Sequence, residues 1–289
     1  MSLVSKYRLY QFAMFGWATV AFAAVVLVFS GNAEPYVSAS EVPITGPVEM
    51  FGVMAGLAVV GWMVISQLEK GTWKRAGKRA NLAPANRGLV GKPTLEGTVD
   101  GRPVRGRTVK RRTGSSGEGG SSKTTYTVVE AELSATAGDG LVLSPGDGAV
   151  LSGQSVNVNL GPETTSVGDI GVVGSDALAR DVLTTRVRDA LQKPETLETV
   201  YAGNAADLLL EAIPDAEGTI SGLVTGKMES AIEDRLPGDP GTVRTEQKGV
   251  ILNATELEAQ ATAVAAVAER FERATADETI DADARTRDE

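Results

Sequence analysis

The apolar positions of this chain fall into three successive patterns. The first is continuous: Leu9–Ala33 and Met50–Leu68 contain no charged residue. At about 1.5 Å of helical rise per residue, the nineteen residues Met50–Leu68 match the roughly 30 Å hydrocarbon core of a bilayer. The pattern predicts two transmembrane helices, about residues 9–30 and 50–68, joined by a short loop. A cleaved signal peptide is the weaker alternative for the first run, which is longer than a signal core of about 7–15 residues.

The second pattern has period two. Thr94–Val99 and Pro103–Arg112 flank Asp100-Gly101, a dipeptide suited to a two-residue hairpin turn. A Gly/Ser run, Gly114–Ser122, separates them from a predicted strand over Thr124–Leu133. Gly138-Asp139-Gly140-Leu141-Val142-Leu143 and Gly146-Asp147-Gly148-Ala149-Val150-Leu151 then repeat a turn-and-strand unit, and Ser155–Leu160 reads as one more strand. The eight-residue spacing of the units differs from the nine-residue period of calcium-binding β-rolls.

The third pattern alternates strand and helix. Ile170–Val173 precedes Ser175 as a helix cap, after which Leu178, Val182, Val187 and Leu191 share one face until Pro194. Asn204–Ile213 and Thr225–Leu236 read as short helices and Thr242–Leu252 as a strand. Thr255 and Glu258 then form a capping box for a longer helix whose Leu257, Ala261, Val264, Ala268 and Phe271 make one stripe. The expected fold is α+β: a two-helix transmembrane hairpin over residues 1–68, a basic juxtamembrane linker over 69–87, a β-rich and then helix-packed domain over 88–275, and a disordered acidic tail over 276–289.

Charge orients this arrangement. Lys70, Lys74, Arg75, Lys78 and Arg79 follow the second span, while the loop between the spans has Glu34, Glu41 and Glu49 and no Lys or Arg. By the positive-inside rule both termini and the large domain are cytoplasmic, making this a multi-pass membrane protein. The net charge of −9 is unevenly spread: residues 69–123 hold fourteen Lys and Arg against four Asp and Glu, and residues 124–289 twelve against thirty. Such an acidic body matches the salt-adapted proteomes in which surface carboxylates maintain solubility. Tyr7, Tyr10, Trp73 and Tyr36 fall where interfacial aromatic residues are expected.

There is no cysteine and no histidine. Disulfides, thiolate metal sites, histidine-ligated metals and Ser-His-Asp or Cys-His catalysis are therefore excluded. No catalytic residue, metal ligand or cofactor site is assigned. The leading expectation is a non-enzymatic interaction or scaffold protein at the cytoplasmic face of the membrane, with a protein partner of unspecified identity. The alternative is a membrane-anchored hydrolase using a carboxylate-bound metal, with Asp139, Asp147 and Asp169 as candidates.

Among motifs, Gly168, Gly171 and Gly174 depart from dinucleotide-binding spacing, and Gly222–Met228 is one residue short of a P-loop and lacks its Ser or Thr. Asn253-Ala254-Thr255 is a glycosylation sequon that reports topology. Gly52 and Gly56 form a small-xxx-small step expected to pack the two spans together. Arg102, Arg105, Arg107, Lys110, Arg111 and Arg112, with the five cations after the second span, are candidates for contact with anionic lipid headgroups. No aromatic residue stands between Trp73 and Tyr126, which disfavours nucleic acid.

The two spans, the Gly-rich segment from Gly88-Leu89-Val90-Gly91 to Arg112 and the terminal helix Leu252–Glu272 together resemble haloarchaeal membrane proteins that join two N-terminal transmembrane helices to a cytoplasmic domain of unknown function. The resemblance rests on layout and composition and implies a fold and a location, with no residue role.

Overall fold

A computed structural model describes residues 12–21, 23, 47–86, 91–113, 122–136, 138–145, 165–167, 169–211 and 240–287. The chain divides into two compact units, Met1–Trp73 and Lys74–Glu289.

The first unit contains helical backbone over residues 12–21 (α1) and most of α2, Pro47–Arg79. Phe12, Phe15 and Val20 of α1 are 70%, 69% and 62% exposed, and Val59, Val60, Trp62, Met63, Val64 and Leu68 of α2 are all more than half exposed. Among the described residues no helix is long and apolar enough to cross a membrane. Five apolar residues of Met50–Leu68, namely Met50, Phe51, Val53, Met54 and Leu57, have side chains outside the description. Tyr7, Tyr10 and Tyr36 also lie outside the described residues, while Trp73 is wholly buried.

The second unit is α+β, built on a nine-stranded sheet in which every adjacent pair is antiparallel. Its strands are β1 (Leu82–Pro84), β2 (Leu95–Val99), β3 (Arg102–Thr113), β4 (Ser122–Glu132), β5 (Gly140–Pro145), β6 (Thr165–Val167), β7 (Ile170–Gly174), β8 (Val200–Gly203) and β9 (Thr242–Lys248). They stand in the order β1-β2-β3-β4-β9-β8-β5-β7-β6. The hairpin between β2 and β3 turns at Asp100 and Gly101, whose φ values of 51° and 82° give the doubly left-handed turn that this dipeptide favours.

The helices are α3 (Asp176–Val182), α4 (Thr185–Gln192), α5 (Ala205–Glu211) and α6 (Ala254–Arg287). Helix α6 crosses β2, β3, β4, β8 and β9, and α3 and α4 pack on it in turn. Leu257, Ala261, Val264, Ala268 and Phe271 are buried as the stripe predicts. So are Ala259, Ala263, Ala265 and Ala266, because α6 is enclosed by sheet and helices, and alanine allows neighbours close on every side. Gly203, at φ +59°, makes room for Phe271: a Cβ there would meet the ring at 2.7 Å.

Several elements differ from expectation. The basic segment after Leu68 is helix rather than linker, ending near Asn81, whose positive φ reverses the chain into β1. Lys78 and Arg79 sit in its last turn, where cations complement the helix dipole. The stripe Leu178–Leu191 belongs to two helices, because Thr184 is extended and begins α4 anew; all four apolar residues are still buried. Asn253, not Thr255, caps α6, its Oδ1 accepting from Thr255 N at 2.9 Å. The segment expected to be disordered from residue 276 continues as helix to Arg287, since it has neither Gly nor Pro and extends a helix already nucleated. The second turn-and-strand unit, the strand over 155–160 and the helix over 225–236 lie outside the described residues.

Candidate functional site

Strand register sorts the charged side chains onto two faces of the sheet. Arg102 shares alternation with Val104 in β3 and pairs with Glu272 of α6, so that alternation faces the helix. Across the strands this face runs Leu95, Gly106, Val129, Thr245, Val200, Leu143 and Val172 in one row. Its few polar members are satisfied: Thr245 Oγ1 donates to Thr199 O at 2.7 Å, and Thr127 Oγ1 donates to Gly249 O at 2.8 Å.

The neighbouring row on the opposite face reads Glu96, Arg105, Glu130, Arg244, Tyr201, Val142 and Val173. Its first four members alternate in sign across four strands. Arg105 Nε lies 3.0 Å from Glu96 Oε1, and its two terminal nitrogens lie 3.8 Å from Glu130 and 3.7 Å from Glu132. Arg107 grips Glu130 with Nε at 3.2 Å and Nη2 at 3.4 Å. Further along, Glu246 Oε2 accepts from Arg244 at 2.9 Å and lies 3.0 Å from Arg111. The side chains of Arg244, Glu246 and Arg111 are only 5%, 10% and 15% exposed. A groove of about 580 Å³ opens beside this row, lined by Glu96, Arg105, Arg107, Glu130, Glu132 and Arg244 among others. Its guanidinium and carboxylate groups face each other, so it is close to electrically neutral.

What the sequence presents as one basic patch thus divides. Arg102, Arg105, Arg107 and Arg111 engage carboxylates supplied by β2, β4, β9 and α6. Lys110 is exposed, and the side chain of Arg112 lies outside the description. In the other basic cluster, Lys74, Arg75, Lys78 and Arg79 are exposed while Ala76, Gly77 and Ala80 between them are buried. Gly77 is needed there, because a Cβ would meet Leu95 Cδ1 at 2.5 Å. In the first unit no described atom comes within 4 Å of a Cβ at Gly52 or Gly56, whereas a Cβ at Gly61 would lie 2.2 Å from Trp17 Nε1. Gly61 is therefore a glycine at which the described parts of α1 and α2 approach, and an apolar cavity of about 280 Å³ in the same unit is lined by Phe15, Trp17, Ala58 and Trp62.

Two polar clusters have no counterpart in the sequence reading. Glu272, on α6, accepts from Arg102 and from Ser134 N–H; the Arg102 guanidinium above all, helped by Ser134, holds its carboxyl below the ordinary glutamate value against partial burial. It borders a cavity of about 470 Å³ between residues 133–139 and the end of the Phe271–Ala276 segment. Glu256, nearly buried in the first turn of α6, accepts from the backbone N–H groups of Glu195 at 3.0 Å and Thr196 at 3.1 Å, and from Gln260 Nε2 at 3.1 Å. It fixes the chain just past Pro194 to the helix that crosses the sheet.

Asp139 and Asp169 are on separate turns, and Asp147 lies outside the described residues. Among the described residues no three Asp or Glu side chains converge as a cation requires. Gly174 has φ +130° at the junction of β7 and α3, the strand-to-helix turn expected in place of a nucleotide loop, and Gly222–Met228 lies outside the description. No family model, curated protein or solved structure matches this chain.

Proposed function

We propose that this protein is a membrane-anchored, non-enzymatic interaction or scaffold protein, multi-pass, with both termini and the sheet domain on the cytoplasmic side, as in the haloarchaeal proteins it resembles. The observation carrying this reading is the exposure of large apolar side chains along α1 and α2, where Val60 and Trp62 are each 57% open. In water such continuous exposure is strongly unfavourable, since each large side chain forgoes about 1.5–3 kcal/mol of burial. In hydrocarbon it costs nothing. Over the whole sequence the run contains no charge from Met50 to Leu68 and is followed, after Glu69, by five cations within residues 70–79, the arrangement that holds a helix end at an anionic inner leaflet. The sheet domain supports a binding role rather than catalysis, because its charged side chains face one another in ion pairs.

The test is topological. Reporter domains fused before Met1 and after Glu289 should both be active only in the cytoplasm, and the chain should resist alkaline extraction from membranes. Extraction into the soluble fraction, or a glycan on Asn253, would defeat the proposal.

A further inference from the structure

Beyond the carboxylate-paired part of β3, the sheet narrows to a two-stranded ribbon. Strand β2 accompanies β3 only as far as Gly106, and β9 accompanies β4 only from Tyr126 onward, yet β3 and β4 remain paired out to Thr113 and Ser122. The last four pairs, Lys110 with Thr125 through Thr113 with Ser122, extend about 13 Å past the flanking strands at roughly 3.4 Å per residue. The ribbon holds Lys110, Arg111, Arg112 and Lys123 and no acidic residue. Arg111 turns back to Glu246. Lys110 and Lys123 are exposed, and Arg112 stands directly across from Lys123. Like charges at directly opposed positions destabilise a strand pair. Elsewhere on β3 Arg102, Arg105 and Arg107 each engage a carboxylate, whereas Lys110 on the β3 side of the ribbon and Lys123 on its β4 side are exposed.

We infer that the distal ribbon, through Lys110, Arg112 and Lys123, docks on the phosphate-bearing headgroups of the anionic inner leaflet. This rests on the membrane anchoring proposed above and narrows the contact from the whole basic hairpin to its tip. Three observations favour a leaflet as the occupant. Helix α2 runs unbroken from the proposed span to Arg79 and only Ala80 and Asn81 then precede β1, so a short, continuous connection tethers the sheet to the proposed anchor and raises the effective concentration of headgroups at it. The body beyond residue 124 is strongly acidic, so the ribbon, together with the exposed cations Lys74, Arg75, Lys78 and Arg79 that precede the sheet, is a basic surface that an anionic leaflet would attract. Tyr126, the aromatic residue at the ribbon's base, is only 3% exposed, so no ring is presented for base stacking.

The absence of cysteine makes site-specific labelling clean. The full chain would be reconstituted in nanodiscs of phosphatidylglycerol or of phosphatidylcholine, carrying a spin label at S122C or at V60C, with a nickel-chelating headgroup lipid as the relaxing agent. Relaxation of the S122C label in phosphatidylglycerol, and its loss in phosphatidylcholine or in the K110Q/R112Q/K123Q variant, is expected. At low salt the variant should reduce the docked population about a hundredfold, from roughly tenfold per 1.4 kcal/mol and about 1 kcal/mol per cation. If the V60C label reads the acyl region while the S122C label behaves alike in both lipids, or is indifferent to the three substitutions, the docking inference is overturned and the anchor survives. A V60C label open to water overturns the anchor and this inference with it. Immobilisation of the S122C label by added duplex RNA, with phosphatidylglycerol leaving it free, overturns the inference in favour of a nucleic-acid surface.

Discussion

Helices α2 and α6 are nearly the same length, 33 and 34 residues, and each carries a long apolar segment, yet they treat it in opposite ways. Along α6 the apolar residues are mostly Ala, punctuated by Leu257, Val264 and Phe271, and from Leu257 to Ala274 nearly all are buried. Along α2 they are larger, with Val59, Val60, Trp62 and Met63 in succession around the helix, and they stay open. Small residues allow a helix to be enclosed by its own protein on several sides, because backbones approach closely; bulky residues on all sides require a surrounding that conforms to them. The two helices thus illustrate two ways to satisfy apolar surface, one by the fold itself and one, in the proposed reading, by lipid.

The contrast is broken most severely by exchanging the consequences. Phe271→Ala should destabilise the sheet domain by about 3–5 kcal/mol, read from chemical unfolding in detergent, because it empties the space that Gly203 leaves for the ring. Val60→Asp should leave that unfolding midpoint unchanged while adding about 2.5–3.5 kcal/mol to membrane insertion, read as a soluble or degraded fraction. Equal losses of domain stability from both changes would remove the distinction between the helices.

Next in size is Glu246→Gln. With two arginines sharing one nearly buried carboxylate, removing its charge should cost about 3 kcal/mol of domain stability. An effect no larger than that of an exposed substitution would mean that the charged row contributes solubility only. Acid provides a smaller and graded test. Because the folded-state value of Glu272 is depressed, its contribution is present above the ordinary glutamate value and is lost as pH falls toward the folded value. Stability should therefore decline below the usual carboxylate range, and Glu272→Gln should flatten that acid limb in pH-dependent melting. Smallest of all, Lys110→Gln with Lys123→Gln should change domain stability by less than about 0.5 kcal/mol, since both side chains are exposed.

What the sequence foretold and what it concealed divide along the same physical line. Asp100-Gly101 announced its turn because the requirement, two positive φ values, is local to those residues. The stripe of α6 was legible because one face of it meets the sheet, and helical period is written in neighbouring residues. Strands β1, β6 and β8 were not foreseen: at three or four residues they have too little alternation to register, and they exist by pairing with longer neighbours. The partners of the arginines were hidden for a stronger reason. Glu246 meets Arg111, and Glu272 meets Arg102, across long intervals of chain, and only strand order and register bring them together. A count of charge along β3 shows a basic patch; the fold converts most of it into a neutral lattice and leaves the exception at the ribbon.

Strand β9 has a temporal consequence. It lies between β4 and β8, so the strands made before residue 132 and those made after residue 140 share no ladder until residues 242–248 have been synthesised. At about 5–20 residues per second, the outer edge of β4 waits on the order of 5–20 seconds after it leaves the ribosome before its permanent neighbour arrives. During that interval an open strand edge is presented close to wherever the first helices have already gone, and such edges recruit one another. Translation speed over the interval from Leu133 to Gly241 should therefore govern the yield of folded protein, so that synonymous codons which slow it would lower recovery without altering a single residue of the product.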